Sequence, residues 1–132
     1  MSNNKVVLIT GATSGMGELT ASYLASNGYI VYAGTRNKDN LESDNENINY
    51  IYLDVTKTQT IKEAINLVIK KEGKIDVLVN NAGYGLLATI EEGTDEEMFN
   101  QFDVNVFGLI KTTREVLPYM REAKQGVIIN IS

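Results

Sequence analysis

Thr10-Gly11-Ala12-Thr13-Ser14-Gly15-Met16-Gly17 is the stretch from which the fold can be read. It follows the apolar run Lys5 to Thr10. It precedes a segment in which Met16, Leu19, Tyr23 and Leu24 recur at helical spacing and Gly28 marks the stop. The turn is therefore a strand-to-helix connection. Gly11 lets the chain leave the strand sharply, Gly15 lets the backbone approach a pyrophosphate, and Gly17 lets the helix pack closely on a sheet. The free N–H groups at the helix start then face the anion, with Thr13 and Ser14 adding hydroxyl donors. The spacing is G-x-x-x-G-x-G with no P-loop lysine after it, which disfavours an ATPase or GTPase.

Outward from this turn, short apolar runs alternate with amphipathic segments. The runs Lys5 to Thr10, Tyr29 to Gly34, Ile48 to Leu53, Ile75 to Asn80 and Gly126 to Ile131 read as strands, several apolar at every position, as in a parallel sheet covered on both faces. Ile61, Ala64, Ile65 and Val68 mark a second helix, with Thr60 and Glu63 at capping-box spacing and Gly73 as its stop. Thr94 and Glu97 open a long helical region through Met98, Phe102, Val106, Leu109, Ile110, Thr113 and Leu117, which Pro118 should bend or end. The Asn- and Asp-rich stretch Arg36 to Asn47 reads as a loop. The pattern predicts one α/β domain over residues 1–132: a doubly wound, Rossmann-type parallel sheet of order 3-2-1-4-5, cut off after strand five.

Composition narrows the chemistry. The chain has 132 residues, 43 % of them hydrophobic, with 12 Lys and Arg against 17 Asp and Glu, a formal net charge of −5. One modest core and no separate substrate domain fit that length. Without Cys or His, thiol nucleophiles, disulfides, Cys/His zinc sites and a Ser-His-Asp triad are excluded, and no metal site is expected. The acidic balance argues against nucleic acid as a partner. No apolar run approaches the length of a membrane span, and the polar start Met1 to Lys5 shows no secretory signal, so a cytoplasmic location is expected.

Three further stretches fall at the carboxyl edge of the predicted sheet, where open α/β folds bind ligands. Asp54-Val55 ends the third strand; the Asp54 carboxylate can accept from an adenine amine or simply start a turn. Asn80-Asn81-Ala82-Gly83 leaves the fourth strand, where an Asn amide can tie neighbouring strands together and Gly83 admits a close ring. Asn105, in Asn105-Val106-Phe107-Gly108, sits among apolar residues, so its amide needs a hydrogen-bond partner, structural or catalytic. The second strand closes as Thr35-Arg36-Asn37-Lys38 without a carboxylate. A small residue beside an Arg accommodates a ribose 2′-phosphate, so NADP(H) is expected over NAD(H). A methyltransferase is disfavoured, since such sites usually want an acidic residue where Thr35 stands.

These four motifs, in this order and spacing, resemble the N-terminal half of the short-chain dehydrogenase/reductases, whose glycine signature is T-G-x-x-x-[AG]-x-G. The resemblance implies a cofactor site of Gly11, Thr13, Ser14, Gly15, Met16, Gly17, Arg36, Asp54, Val55, Asn81, Ala82 and Gly83, with Asn81 to Gly83 near the ribose and nicotinamide. It implies that Asn105 holds a water in a proton relay to a catalytic Lys. It also implies a small carbonyl or alcohol substrate, with Tyr84, Leu86 and Leu87 along one wall of its pocket. The family's active Ser and Tyr-x-x-x-Lys pair are not found here. Ser132 matches the serine before the active one, so this span is expected to bind cofactor without turnover. The alternative is a short dinucleotide-binding module with no chemistry. The open fifth strand and the apolar helix face from Met98 to Leu117 lead to an expectation of self-association.

Overall fold

The structure, a computed structural model, describes residues 4–39 and 41–132; Met1 to Asn3 of the polar start and Asn40 of the predicted loop lie outside the described residues. Five parallel strands, β1 (Val6–Ile9), β2 (Ile30–Thr35), β3 (Ile48–Tyr52), β4 (Val77–Asn80) and β5 (Val127–Asn130), form one sheet. Its order is β3-β2-β1-β4-β5, as the sequence predicts. Chain reversal between β3 and β4 places β1 and β4 side by side at the centre, so the loops after both strands open at one crevice.

The helices are α1 (Gly15–Ser26), α2 (Thr58–Glu72), α3 (Asp95–Phe102) and α4 (Leu109–Ala123), with a π-helical turn, Asp103–Gly108, joining the last two. One apolar cluster packs Leu8, Ile51, Leu53 and Leu78 of the sheet region against Ile61, Ile65 and Val68 of α2 and Val116 and Met120 of α4. A second packs Val7, Ile9, Val31 and Ala33 against Ala21 and Ala25 of α1. β1 is buried along its whole length and β2 nearly so, which explains their unbroken apolar runs. β5 differs: Val127 and Ile129 are exposed, as is Ile131 just past its end. Among the described residues, no helix is long and apolar enough to cross a membrane.

Three local expectations need correction. The face of α1 that meets the sheet is not Met16, Leu19 and Tyr23, which are 66, 72 and 69 % exposed, but Gly17, Ala21 and Ala25. Small residues let the helix approach the strands closely, and the larger ones turn outward. The second helix begins at Thr58 with Lys57 as its cap, so Thr60 and Glu63 form no capping box. The Thr60 hydroxyl is drawn away, accepting from the Asp54 N–H at 2.9 Å and lying 2.7 Å from the Asp54 carbonyl. Pro118 does not end α4, which runs on to Ala123. Pro118 and Arg114 are both exposed, so water can take the one carbonyl that a proline leaves unpaired. The break in the long helical region lies instead at the π-helical turn, around Asn105. The capping box at Thr94 and Glu97 does form.

Candidate functional site: a dinucleotide cradle

Gly11 and Gly15 both take positive φ, +62° and +58°, a backbone region that side-chain-bearing residues enter only under strain. No atom lies within 4 Å of where a Cβ on Gly15 would stand, so open space adjoins the backbone at that point. Gly17 is constrained differently. A Cβ there would lie 2.5 Å from both Asn81 Nδ2 and the Gly11 carbonyl oxygen. Ser14 caps α1 in extended conformation, but its hydroxyl makes no cap hydrogen bond, so it stays available together with the unpaired first amides of the helix. Exposed Thr13 flanks it. Donors, positive helix end and open space fit a diphosphate.

The turn is fixed to the loop after β4 from both sides. Asn81 Nδ2 donates to the Gly11 carbonyl at 3.0 Å. Thr10, 1 % exposed, accepts from the N–H of Asn81 and of Ala82 through one hydroxyl oxygen, each at 3.0 Å. Ala82 in turn closes on Gly11, where a Cβ would stand 2.8 Å from its Cα. Thr10 is the residue sequence reasoning leaves without a role. Its signal is a hydroxyl at the end of a fully buried strand, which has to find a partner. Asn80 ties strands as expected: its Nδ2 donates to Asn130 Oδ1 on β5 at 2.9 Å and to Thr113 Oγ1 on α4 at 3.0 Å.

Asp54 takes the turn-starting role that its position allows. Oδ1 starts a turn, accepting from the N–H of Thr56 at 3.0 Å and its hydroxyl at 2.7 Å, while Oδ2 faces Lys57 Nζ at 3.9 Å. Val55 is buried, and a Cβ on Gly108 would lie 2.6 Å from its Cγ2, so the side chain packs against the π-helical turn. Only its backbone is left to meet a ligand. Arg36 is exposed at the end of β2, and neither it nor Lys38 forms an ion pair among the described residues.

Asn105 finds its partner in the loop after β4. Its Nδ2 donates to the Tyr84 carbonyl at 2.7 Å and its Oδ1 accepts from the Tyr84 N–H at 2.9 Å. The amide thus clamps Tyr84 from both sides, and it lies close to Gly83, where a Cβ would stand 3.0 Å from Asn105 Oδ1. Gln101 holds the same loop one step further, accepting from the Leu86 N–H at 2.8 Å. Leu87 is fully exposed. Tyr32 takes no part in this edge: burial first, then the hydrogen bond and charge of Glu72, push its phenol well above the ordinary tyrosine range.

Residues 5–132 match the family model described as short chain dehydrogenase. The 3-ketodihydrosphingosine reductase of Bacteroides thetaiotaomicron is 43 % identical over 131 residues, which are 97 % of this chain and 46 % of that protein. A short-chain dehydrogenase from Streptomyces avermitilis superposes with a TM-score of 0.92 at 36 % identity, over 100 % of this chain and 50 % of that one. ElxO with NADP bound superposes with a TM-score of 0.90 at 34 % identity, over 97 % and 55 %. The chain spans about half the length of the curated relatives it matches. With its glycine turn, parallel sheet and Asn81 edge loop, it belongs to the short-chain dehydrogenases.

Proposed function

We propose that these 132 residues form the NADP(H)-binding part of an oxidoreductase that interconverts an alcohol and a carbonyl by hydride transfer. The observation that carries the reading is the phosphate turn, its helix amides and Ser14 unspent, held against Asn81 at the sheet's carboxyl edge. The amides and Thr13 and Ser14 bind the diphosphate. Asp54 Oδ2 and the Val55 backbone border the adenine, and Ala82 and Gly83 border the ribose and nicotinamide. Bound there, the nicotinamide supplies or accepts the hydride. Asn105, anchored on Tyr84, belongs to a proton relay whose Lys, like the catalytic Ser and Tyr, lies beyond this span. Tyr84, Leu86 and Leu87 line one wall for a small carbonyl or alcohol substrate. A cytoplasmic setting belongs to the same reading.

NADP(H) over NAD(H) rests on Arg36: a planar donor fork without a carboxylate partner, beside small Thr35, and with no acidic residue to accept from a free 2′-hydroxyl. The NADP bound to ElxO supports it. In a fluorescence titration NADPH is expected to bind about tenfold or more tighter than NADH, a difference of roughly 1.4 kcal/mol per decade, and Arg36→Ala to remove most of the gap. Equal affinities in the unmodified protein would overturn the cofactor preference.

Self-association is part of the proposal. Ile110 and Leu117 leave an apolar stripe exposed on α4, and β5 presents an unpaired edge with Val127 and Ile129 outward. Sedimentation at micromolar concentration is expected to give a dimer or larger species; a strictly monomeric boundary counts against it.

A further inference from the structure

We propose that Lys38 is a second cation for the 2′-phosphate and that the ring of Tyr52 is the positioning residue that holds it there, an inference resting on the NADP(H) reading above. Lys38 lies three residues past the end of β2, where its long stem could extend into solvent. Instead its Nζ lies 5.1 Å from the centroid of the Tyr52 ring, within the range of a cation–π contact. Tyr52 is the ladder partner of Thr35, the last residue of β2, so the ring stands directly beside the strand end that carries Arg36. It is only partly exposed and sits in a strand, which makes it a fixed platform for a flexible side chain.

Charge points the same way. Asp39, Glu42, Asp44 and Glu46 follow closely in sequence, yet none pairs with Arg36 or Lys38 among the described residues. In a chain of net charge −5, two neighbouring cations stay without carboxylates at the ligand edge of the sheet. Each would be left for an external anion. Arg36 supplies a bidentate fork, and Lys38 a point charge whose freedom the ring has already restricted. A free 2′-hydroxyl gains little from either, so the pair acts on cofactor choice.

The test is a fluorescence titration of the protein with NADPH and with NADH, for the unmodified chain and for Lys38→Gln, Tyr52→Leu, Tyr52→Phe and the Lys38→Gln/Tyr52→Leu double variant. Lys38→Gln is expected to weaken NADPH about fivefold and NADH hardly at all. Tyr52→Leu is expected to weaken NADPH by about two- to fivefold, the worth of an exposed cation–π contact, and Tyr52→Phe to keep the unmodified affinity. The double variant should be no worse than Lys38→Gln alone, because the ring acts only through the ammonium. The inference is overturned if Tyr52→Leu weakens both cofactors alike, weakens neither, or adds its full effect to Lys38→Gln. A preference for NADPH that Arg36→Ala erases and Lys38→Gln leaves intact overturns this inference alone. An unmodified protein with no preference overturns it together with the cofactor reading.

Discussion

Gly17→Val is expected to weaken NADPH binding by about a hundredfold, roughly 2.8 kcal/mol, and to lower folding stability by about 3 kcal/mol. The new Cβ would stand 2.5 Å from the Gly11 carbonyl oxygen, a backbone atom that cannot rotate aside, and 3.0 Å from the Ala12 Cα. Asn81 Nδ2, also at 2.5 Å, could move only by giving up its hydrogen bond to that same carbonyl. Either α1 lifts from the sheet or the turn loses its tie to the β4 loop, and in both cases the helix amides no longer converge on one point. A fluorescence titration gives the first number and urea unfolding the second. A folded Gly17→Val protein that binds NADPH as tightly as the unmodified one would show that the diphosphate lies elsewhere.

Thr10→Val removes no volume from the core, yet it is expected to cost about 2 to 4 kcal/mol. One hydroxyl oxygen accepts from both Asn81 N–H and Ala82 N–H, and valine leaves the two amides without an acceptor, each worth about 1–3 kcal/mol when shut away from water. Both residues are half-buried, which keeps the sum in the lower part of that range. Thr10→Ser keeps the oxygen and loses a methyl group, a change of about 1 kcal/mol. The urea midpoint should therefore fall much further for Val than for Ser, with the slope unchanged. Equal midpoints for the two would mean that the hydroxyl does not organise the loop.

What the sequence made legible was what depends on order and on backbone geometry. Alternating runs and one reversal fix the order of the strands, and the glycine spacing locates the turn, because few residues other than glycine fit a positive φ or a 2.5 Å approach. Less legible was which face of a helix is buried. In α1 the large apolar residues have the right period, but contact with the sheet selects Gly17, Ala21 and Ala25, whose side chains offer far less apolar area than those of Leu19 and Tyr23. The competition for Thr60 was also hidden, since Asp54 reaches it from six residues away and takes it from the helix end. Asn105 could be recognised as needing a partner; that the partner would be the backbone of Tyr84, 21 residues earlier, follows only from the packed loop.

The π-helical turn at Asp103–Gly108 acts as a phase shift between two stretches of one rod. An extra residue in an α-helical path rotates everything beyond it by about 100°, so the outward stripe of α4 and the clamp on Tyr84 can be aimed separately, though one continuous helical segment carries both. Removing a single residue from the turn would leave the rod intact in length and cohesion but swing one of those two surfaces out of alignment with the other. The placement of the loop after β4 and that of the exposed helix face are thus set by the same six residues.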